Sequence, residues 1–478
     1  MFMKYFYLSV MSFFIVQGNS YGFSFTKPKA VKEIDIGSST MPGAKVDEQA
    51  ISDALYETFE NDLQGEFGDG LSIEEEIENQ QVNAVSIAII ENNKIKQYHQ
   101  YGYRDKAKTL KANNKTSFHV ASMSKFLAGI AMAEAERQGI LDRDKSIKRY
   151  SNQFPDSTLE KWVRKKFKNS EEDYPKSINV KRLMSHTAGL DRHGIGLMPM
   201  GLERTLKGIL LGDLYDWNGV NPIHQPGTVY DYSGGGYVAA EHLLELVTGE
   251  TFTDWVTENL LDVMELENST LETADDSMTN LARGCSRGIC TGAVLRTAVK
   301  AAGGFISTAY DYARILKLIM NDGFDSVTDR SRVIKKSVIE KVLTASWHKE
   351  STMDSCSRSS DCPQMINFCV IPSICVDVPF QQNCYQNQCV QYTSDEGGWR
   401  YGQGVMLGGS LMEDGYHTVL THGGSQEGYK TKFYVDREKK VGIVVLVAGD
   451  DWKKNGVDRG ADVLKNEIYQ SFRRNYLD

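Results

Sequence analysis

Two apolar runs at opposite ends of the chain constrain the fold more than any other feature. Val85-Ser86-Ile87-Ala88-Ile89-Ile90, the turn Glu91-Asn92-Asn93-Lys94 and the stretch Ile95 to Tyr103 have the pattern of a β-hairpin. Far along the chain, Thr418–His422, Thr431–Val435 and Val441–Val447 read as three more strands, with Asp436-Arg437-Glu438-Lys439 as a polar turn. A helix carrying Leu464, Ile468 and Phe472 follows them. Between the two ends the spacing is mainly helical, over Phe126–Leu141, Tyr237–Thr248 and Ala309–Asn321; the last places Tyr312, Ile315, Leu316 and Ile319 on one face. An antiparallel sheet built from both chain ends, with a mostly helical middle, is an α+β arrangement and not an alternating βαβ one.

The first twenty residues combine Lys4, an apolar stretch from Tyr5 to Val16 and the small residues Gly18 and Ser20, the pattern of a secretory signal peptide. The stretch is shorter than a membrane span, and no later segment is long enough for one. An exported protein, periplasmic or secreted, is expected. Residues 21–80 read as a polar leader with an acidic run at Glu74–Glu78, and 81–478 as one domain with a cysteine-rich insertion. A net charge of −9 argues against nucleic acid as a partner, since phosphate backbones reward clustered Lys and Arg.

All eight cysteines fall in the second half: Cys285 and Cys290, then six from Cys356 to Cys389. An even count in an exported chain suggests disulfides. No pair has C-x-x-C spacing and only His348 lies near the cluster, so no metal and no cofactor are expected. Residues from about 350 to 394 are Ser- and Gln-rich and read as an insertion stapled by its own bridges. A disulfide-closed surface loop is the first reading of it; a substrate-gating lid or a protein partner site is the second.

A serine hydroxyl needs a base within hydrogen-bond reach to become a nucleophile, and S-x-x-K on a helix places one a single turn away. The pattern occurs three times, at Ser24–Lys27, Ser122–Lys125 and Ser346–Lys349. Only Ser122 opens a helix that is apolar nearly all round, Phe126-Leu127-Ala128-Gly129-Ile130-Ala131-Met132-Ala133. Burial there would push the Lys125 amine towards its neutral, basic form. A helix N-terminus at Ser122 would also offer backbone N–H groups to an oxyanion.

Several motifs then stand in order. Ser122-Met123-Ser124-Lys125 is followed by Leu183-Met184-Ser185-His186-Thr187-Ala188-Gly189-Leu190, by Pro226-Gly227-Thr228 with Tyr232-Ser233-Gly234, by Ala302-Gly303-Gly304-Phe305-Ile306-Ser307-Thr308-Ala309, and by His422-Gly423-Gly424. In this set the chain resembles the serine β-lactamase and penicillin-recognising hydrolase superfamily, on the side of the class C β-lactamases and their esterase and D-peptidase relatives. The resemblance covers residues 85–475, broken by the insertion. It implies that Ser122 attacks a carbonyl, that Lys125 takes the serine proton and that Tyr232 passes it to the leaving group. It further implies that His422 and Gly424 belong to the substrate wall, and that the backbone N–H groups of Ser122 and Ser425 form an oxyanion hole.

Two departures bear on substrate. Gly234 stands where β-lactam-hydrolysing relatives commonly carry an Asn, and His422 stands where they carry a Lys. Glycine supplies no side-chain hydrogen bond, and a neutral His cannot hold a carboxylate as a permanent cation does. The expected function is an exported serine hydrolase acting on an ester, amide or peptide through an acyl-enzyme, with carboxypeptidase and esterase as its nearest descriptions. The alternatives are a β-lactamase proper and a non-catalytic module that binds cell-wall peptide. Gly284-Cys285-Ser286-Arg287-Gly288 fits the G-x-S-x-G elbow literally, but Asp275–Asn280 before it is no core strand. H-E-x-x-H is absent, which argues against a zinc hydrolase.

Overall fold

The computed structural model describes residues 71–105, 107–168, 174–195, 197–199, 204–213, 218–284, 295–325, 332–345, 365–371, 374–379, 382–385, 388–391, 400–449, 451–454 and 457–477. The signal-peptide pattern, the leader up to residue 70, Ser24–Lys27, Ser346–Lys349, Ser286 and the cysteine side chains lie outside them.

The two apolar runs do meet. Strands β1 (Ala84–Glu91), β2 (Lys94–Gly102), β3 (Arg400–Tyr401), β4 (Met406–Leu411), β5 (His417–Gln426), β6 (Tyr429–Asp436) and β7 (Val441–Ala448) form one sheet in the order β3-β4-β5-β6-β7-β1-β2. Every neighbouring pair is antiparallel, and β1 is joined to β7 from Ala84↔Ala448 to Glu91↔Val441. Successive side chains of a strand point to opposite faces, so each apolar run feeds two cores at once. Val85, Ile87, Ile89, Ile443 and Val445 pack with Leu464, Ile468 and Phe472 of the C-terminal helix Ala461–Tyr476. Ala88, Ile90, Val444 and Leu446 face the larger core beneath the helical middle. Fully sandwiched strands explain why β1 and β7 are apolar at nearly every position.

Three helices matter for the site: α1 (Ser124–Arg137), α2 (Gly234–Thr248) and α3 (Ala309–Met320). The first is buried along Ser124–Ala135, as the apolar run Phe126–Ala133 requires. Ser233 caps α2 by accepting from the Gly236 N–H at 3.1 Å, and Thr308 caps α3 by accepting from the Asp311 N–H at 3.0 Å. Ser122 does not lie on an α-helical N-terminus as expected. It lies in a 3₁₀ turn, Ala121–Met123, that leads into α1.

The packed domain also begins within the expected leader. Ser72 caps a short helix, Ile73–Asn79, whose Ile73 and Ile77 are buried against the sheet, so the packed domain starts ahead of residue 81. The acidic side chains of the Glu74–Glu76 turn sit at that helix's N-terminus, where negative charge is favourable. Within the expected insertion the backbone forms two small antiparallel ladders, Met365–Ile371 with Ile374–Pro379 and Gln382–Tyr385 with Gln388–Gln391. Among the described residues no helix is long and apolar enough to cross a membrane.

Candidate active site

The Ser122 turn is held from two sides. Phe118–His119 pairs with Ile306–Ser307, and the Val120 N–H donates to the Phe305 carbonyl at 3.1 Å. To turn from that ladder into α1 the backbone passes through Ala121 at φ 53°, a left-handed conformation that a residue with a Cβ rarely adopts. The Ser124 hydroxyl fixes the turn, donating to the Ala121 carbonyl at 2.6 Å and accepting from the Phe305 N–H at 3.0 Å. On α3, the Tyr312 hydroxyl donates to the Met123 carbonyl at 2.9 Å.

From the other side comes the end of β5. Strand β4 pairs with β5 only up to Thr421, so residues 422–426 are paired with β6 alone and leave one edge facing the turn. Gly424 marks the closest approach: a Cβ there would stand 2.5 Å from the Val120 carbonyl oxygen and 2.1 Å from Thr431 Oγ1. Gly424 is buried and packs against this turn, while Gly423 and Ser425 line the cleft beside it.

Lys125 is buried on the first turn of α1, and its Nζ lies 3.3 Å from Ser122 Oγ. A second contact, 2.6 Å to the Ala302 carbonyl, fixes the amine. The Tyr232 and Tyr237 rings close over it, 5.0 and 5.2 Å from Nζ to the ring centroids. Desolvation pushes the amine down to about 7. The Tyr232 phenol interacts with the Ser122 side chain, and burial holds it well above its ordinary range. A half-exposed hydroxyl thus sits between a neutralisable amine and a protonated phenol, an arrangement that can take a proton from one oxygen and return it to another.

These groups line a cleft of about 270 Å³, together with His422, Gly423, Ser425 and Gln426 from β5 and His193, Gly194 and Ile195 opposite. A more open hollow of about 470 Å³ along Gly139–Phe154 holds no such nucleophile and base. His422 Nε2 lies 2.8 Å from the Tyr401 hydroxyl and its Nδ1 2.6 Å from the Gly423 carbonyl. Burial, with Lys125 nearby, pushes His422 down to about 4. The Tyr401 hydroxyl in turn lies 3.2 Å from His186 Nε2, whose Nδ1 meets the Ser233 N–H at 2.9 Å. The His186 ring stacks on Tyr232 with centroids 4.0 Å apart, and His193 covers the other part of Tyr232 at 4.7 Å.

Three supports escaped the sequence reading. Tyr401 follows the cysteine-rich insertion, outside every motif read from the sequence. His186 was visible inside an ordered motif but carried no assigned chemistry. Glu241, buried on α2, accepts from the Lys300 N–H at 3.1 Å and the Ala301 N–H at 2.9 Å. It therefore anchors the turn whose Ala302 carbonyl receives Lys125, and burial pushes its carboxyl up to about 8 against those two N–H donors. Among the described residues one acidic trio, Glu136, Asp142 and Asp144, lies close enough to share an ion, but Glu136 already pairs with Arg143 and Lys341, and Asp144 with Lys181.

The same fold is found in solved proteins. D-amino acid amidase from Ochrobactrum anthropi SV3 superposes with a TM-score of 0.57 at 15% identity, over 87% of this chain and 99% of that one. Among curated sequences, Protein flp of Staphylococcus aureus (strain MW2) is 22% identical over 42% of this chain and 37% of its own length. Teichoic acid D-alanine hydrolase of Staphylococcus aureus is 24% identical over 42% of this chain and 44% of its own length. The chain thus matches under half the length of these curated relatives. The family model described as Beta-lactamase matches residues 71–349, more than half of the chain and every motif from Ser122 to Ala309. By that match, and by the antiparallel sheet that closes on the Ser122 turn, the chain belongs to the Beta-lactamase family.

Proposed function

We propose that the chain is an exported serine acyl hydrolase, with Ser122 as nucleophile, Lys125 as its base and Tyr232 as the group that protonates the leaving atom. The observation that carries this reading is the Ser122 hydroxyl 3.3 Å from the Lys125 amine, in one cleft with the Tyr232 ring that covers that amine at 5.0 Å. In the neutral state Lys125 keeps its N–H on the Ala302 carbonyl and turns its lone pair to Ser122. The serine proton moves to Nζ as Oγ bonds to the carbonyl carbon, and the Ser122 and Ser425 N–H groups receive the oxyanion. Collapse expels the alcohol or amine with a proton passed through Tyr232. Water then attacks the ester on Ser122 by the same route in reverse and releases the acid.

The substrate class follows from what the cleft lacks. His422 is neutral, and position 234 has no side chain to hold a substrate amide. A Cβ on Gly234 would stand 3.2 Å from the His193 carbonyl oxygen, so the 192–195 segment occupies the space such a side chain would need. Among the described residues that line the cleft the one amine is Lys125, pushed down to about 7, so esters or amides that carry no carboxylate beside the scissile bond fit better than β-lactams. Relatives named as a teichoic acid D-alanine hydrolase and a D-amino acid amidase are consistent with that class. Export rests on the Lys4–Ser20 pattern.

A fluorophosphonate probe followed by peptide mapping tests the assignment. Label on Ser122, with hydrolysis of short-chain esters or D-amino-acid amides that is lost in Ser122→Ala, is the expected result. Label on Ser286 with Ser122→Ala still active would overturn it. Neither label nor turnover of esters, D-amino-acid amides or β-lactams would favour a binding module.

A further inference from the structure

We infer that Tyr401 is a positioning residue that holds His422 in a single neutral tautomer, with Nδ1 protonated and the Nε2 lone pair occupied. The inference deepens the proposed active site and rests on that reading for its catalytic consequence, though not for its geometry. The polarity of the hydrogen-bond chain is set at both ends by backbone groups that have only one role. The Ser233 N–H can only donate, so His186 Nδ1 accepts and its proton sits on Nε2. His186 Nε2–H then donates to the Tyr401 oxygen. The neighbouring Tyr237 hydroxyl gives its own hydrogen to the Met184 carbonyl at 2.6 Å, and the Tyr401 hydrogen, which alone can satisfy an unprotonated His422 Nε2 at 2.8 Å, points there. At the far end the Gly423 carbonyl can only accept, so His422 Nδ1 carries the proton. Reversing any link would set two donors or two acceptors face to face at one of these ends.

The groups packed around His422 favour the same state. Lys125 faces it from α1, His186 from the Leu183–Leu190 segment, Tyr401 from β3 and the Tyr232 ring from the start of α2. None is anionic, and a protonated Lys125 would repel an imidazolium. Both His422 nitrogens are thereby committed within the protein. His422 offers the cleft neither a free base nor a positive charge. Lys125 is the base in contact with Ser122 among the described residues, and a substrate carboxylate finds no counter-ion at position 422, where related enzymes carry a lysine.

Proton-detected ¹⁵N spectra of the protein labelled at histidine test this directly. In the wild type at pH 7, His422 is expected to show a pyridine-like Nε2 and a pyrrole-like Nδ1, unchanged down to pH 5. Tyr401→Phe removes the donor while keeping the ring. It is expected to let His422 exchange between tautomers, to move its protonation upward, and to lower kcat/KM for p-nitrophenyl acetate by about tenfold with a new acid limb. A purely structural role for Tyr401 would lower the melting temperature and leave the tautomer and pH profile alone, and that outcome would overturn the proposal. So would a wild-type His422 protonated at Nε2, which can be read even if the variant does not fold. Should the tautomer be as stated while Ser122→Ala stays active, the serine-hydrolase reading alone fails.

Discussion

Lys125→Arg removes the one cleft amine that can lose its charge near neutral pH while keeping a long, basic side chain. At the ordinary lysine value of 10.5, roughly one amine in 3,000 is neutral at pH 7; at about 7, about half are. Desolvation by α1 and the two tyrosine rings therefore enlarges the basic population about a thousandfold, which matches the 10²–10⁴ that a positioned base contributes. Because the amine must be neutral to act, activity is present above the folded pKa and is lost as pH falls through it. The assay is kcat/KM for p-nitrophenyl acetate from pH 5 to 9, with the Ser122→Ala rate subtracted. A rise of about tenfold per pH unit below pH 6 and a plateau above about pH 8 are expected. Lys125→Arg should fall by about 10²–10⁴ and lose that limb, with Lys125→Met behaving alike so that a packing effect of the guanidinium is separated out. A limb near the ordinary lysine value, a flat profile, or substantial activity in both variants would refute the argument.

Other consequences are as sharp. Gly424→Ala would force a Cβ against the Val120 carbonyl and Thr431 Oγ1, so it should destabilise the fold by about 1–3 kcal/mol and slow fluorophosphonate labelling of Ser122, read by thermal unfolding and labelling rate. Glu241→Gln can accept from only one of the two N–H donors, so it should lose about 1–3 kcal/mol of stability and reduce kcat by releasing the Ala302 carbonyl from Lys125; unchanged kcat would sever that link. The ladders of the insertion set Cys369 opposite Cys375 and Cys389 opposite Cys384, backbone separations of a kind that disulfides span. Thiol titration of the folded protein is expected to find few free cysteines, and a majority free would refute an oxidised insertion.

Elements whose partners are chosen by simple periodicity were legible in the sequence. Val85–Ile90 and Val441–Val447 alternate so as to serve two cores, and β1 and β7 pair along their full lengths. The strand expected at Thr418–His422 was cut short because Gly423, Gly424 and Ser425 are weak strand formers. The ladder continues through them to Gln426 because β6 supplies the pairing and small residues allow the Ser122 turn to come close. Ser122 was expected at a helix start, and local spacing could not reveal that pairing with Phe305 bends the chain at Ala121 first. Composition likewise hid the insertion's ladders, since its Ser- and Gln-rich segments carry no strong alternation.

The site residues divide along the same line. Ser122 and Lys125 are three positions apart, so the 3₁₀ turn that runs into α1 makes their contact and the sequence displays the spacing. His186 and Tyr401 are 215 positions apart, and Tyr401 and His422 are joined only because β3 reaches the sheet edge beyond the insertion. What those long-range contacts decide is charge. The fold buries His186 and His422 as neutral rings joined through Tyr401, and desolvation brings the Lys125 amine beside Ser122 down to about 7. A cation at position 422 would oppose a second charge on Lys125 more strongly and would draw in carboxylates. A neutral His422 does neither, so on the proposed reading the residue that weakens the case for β-lactams also leaves the Lys125 amine to govern attack on an uncharged ester or amide.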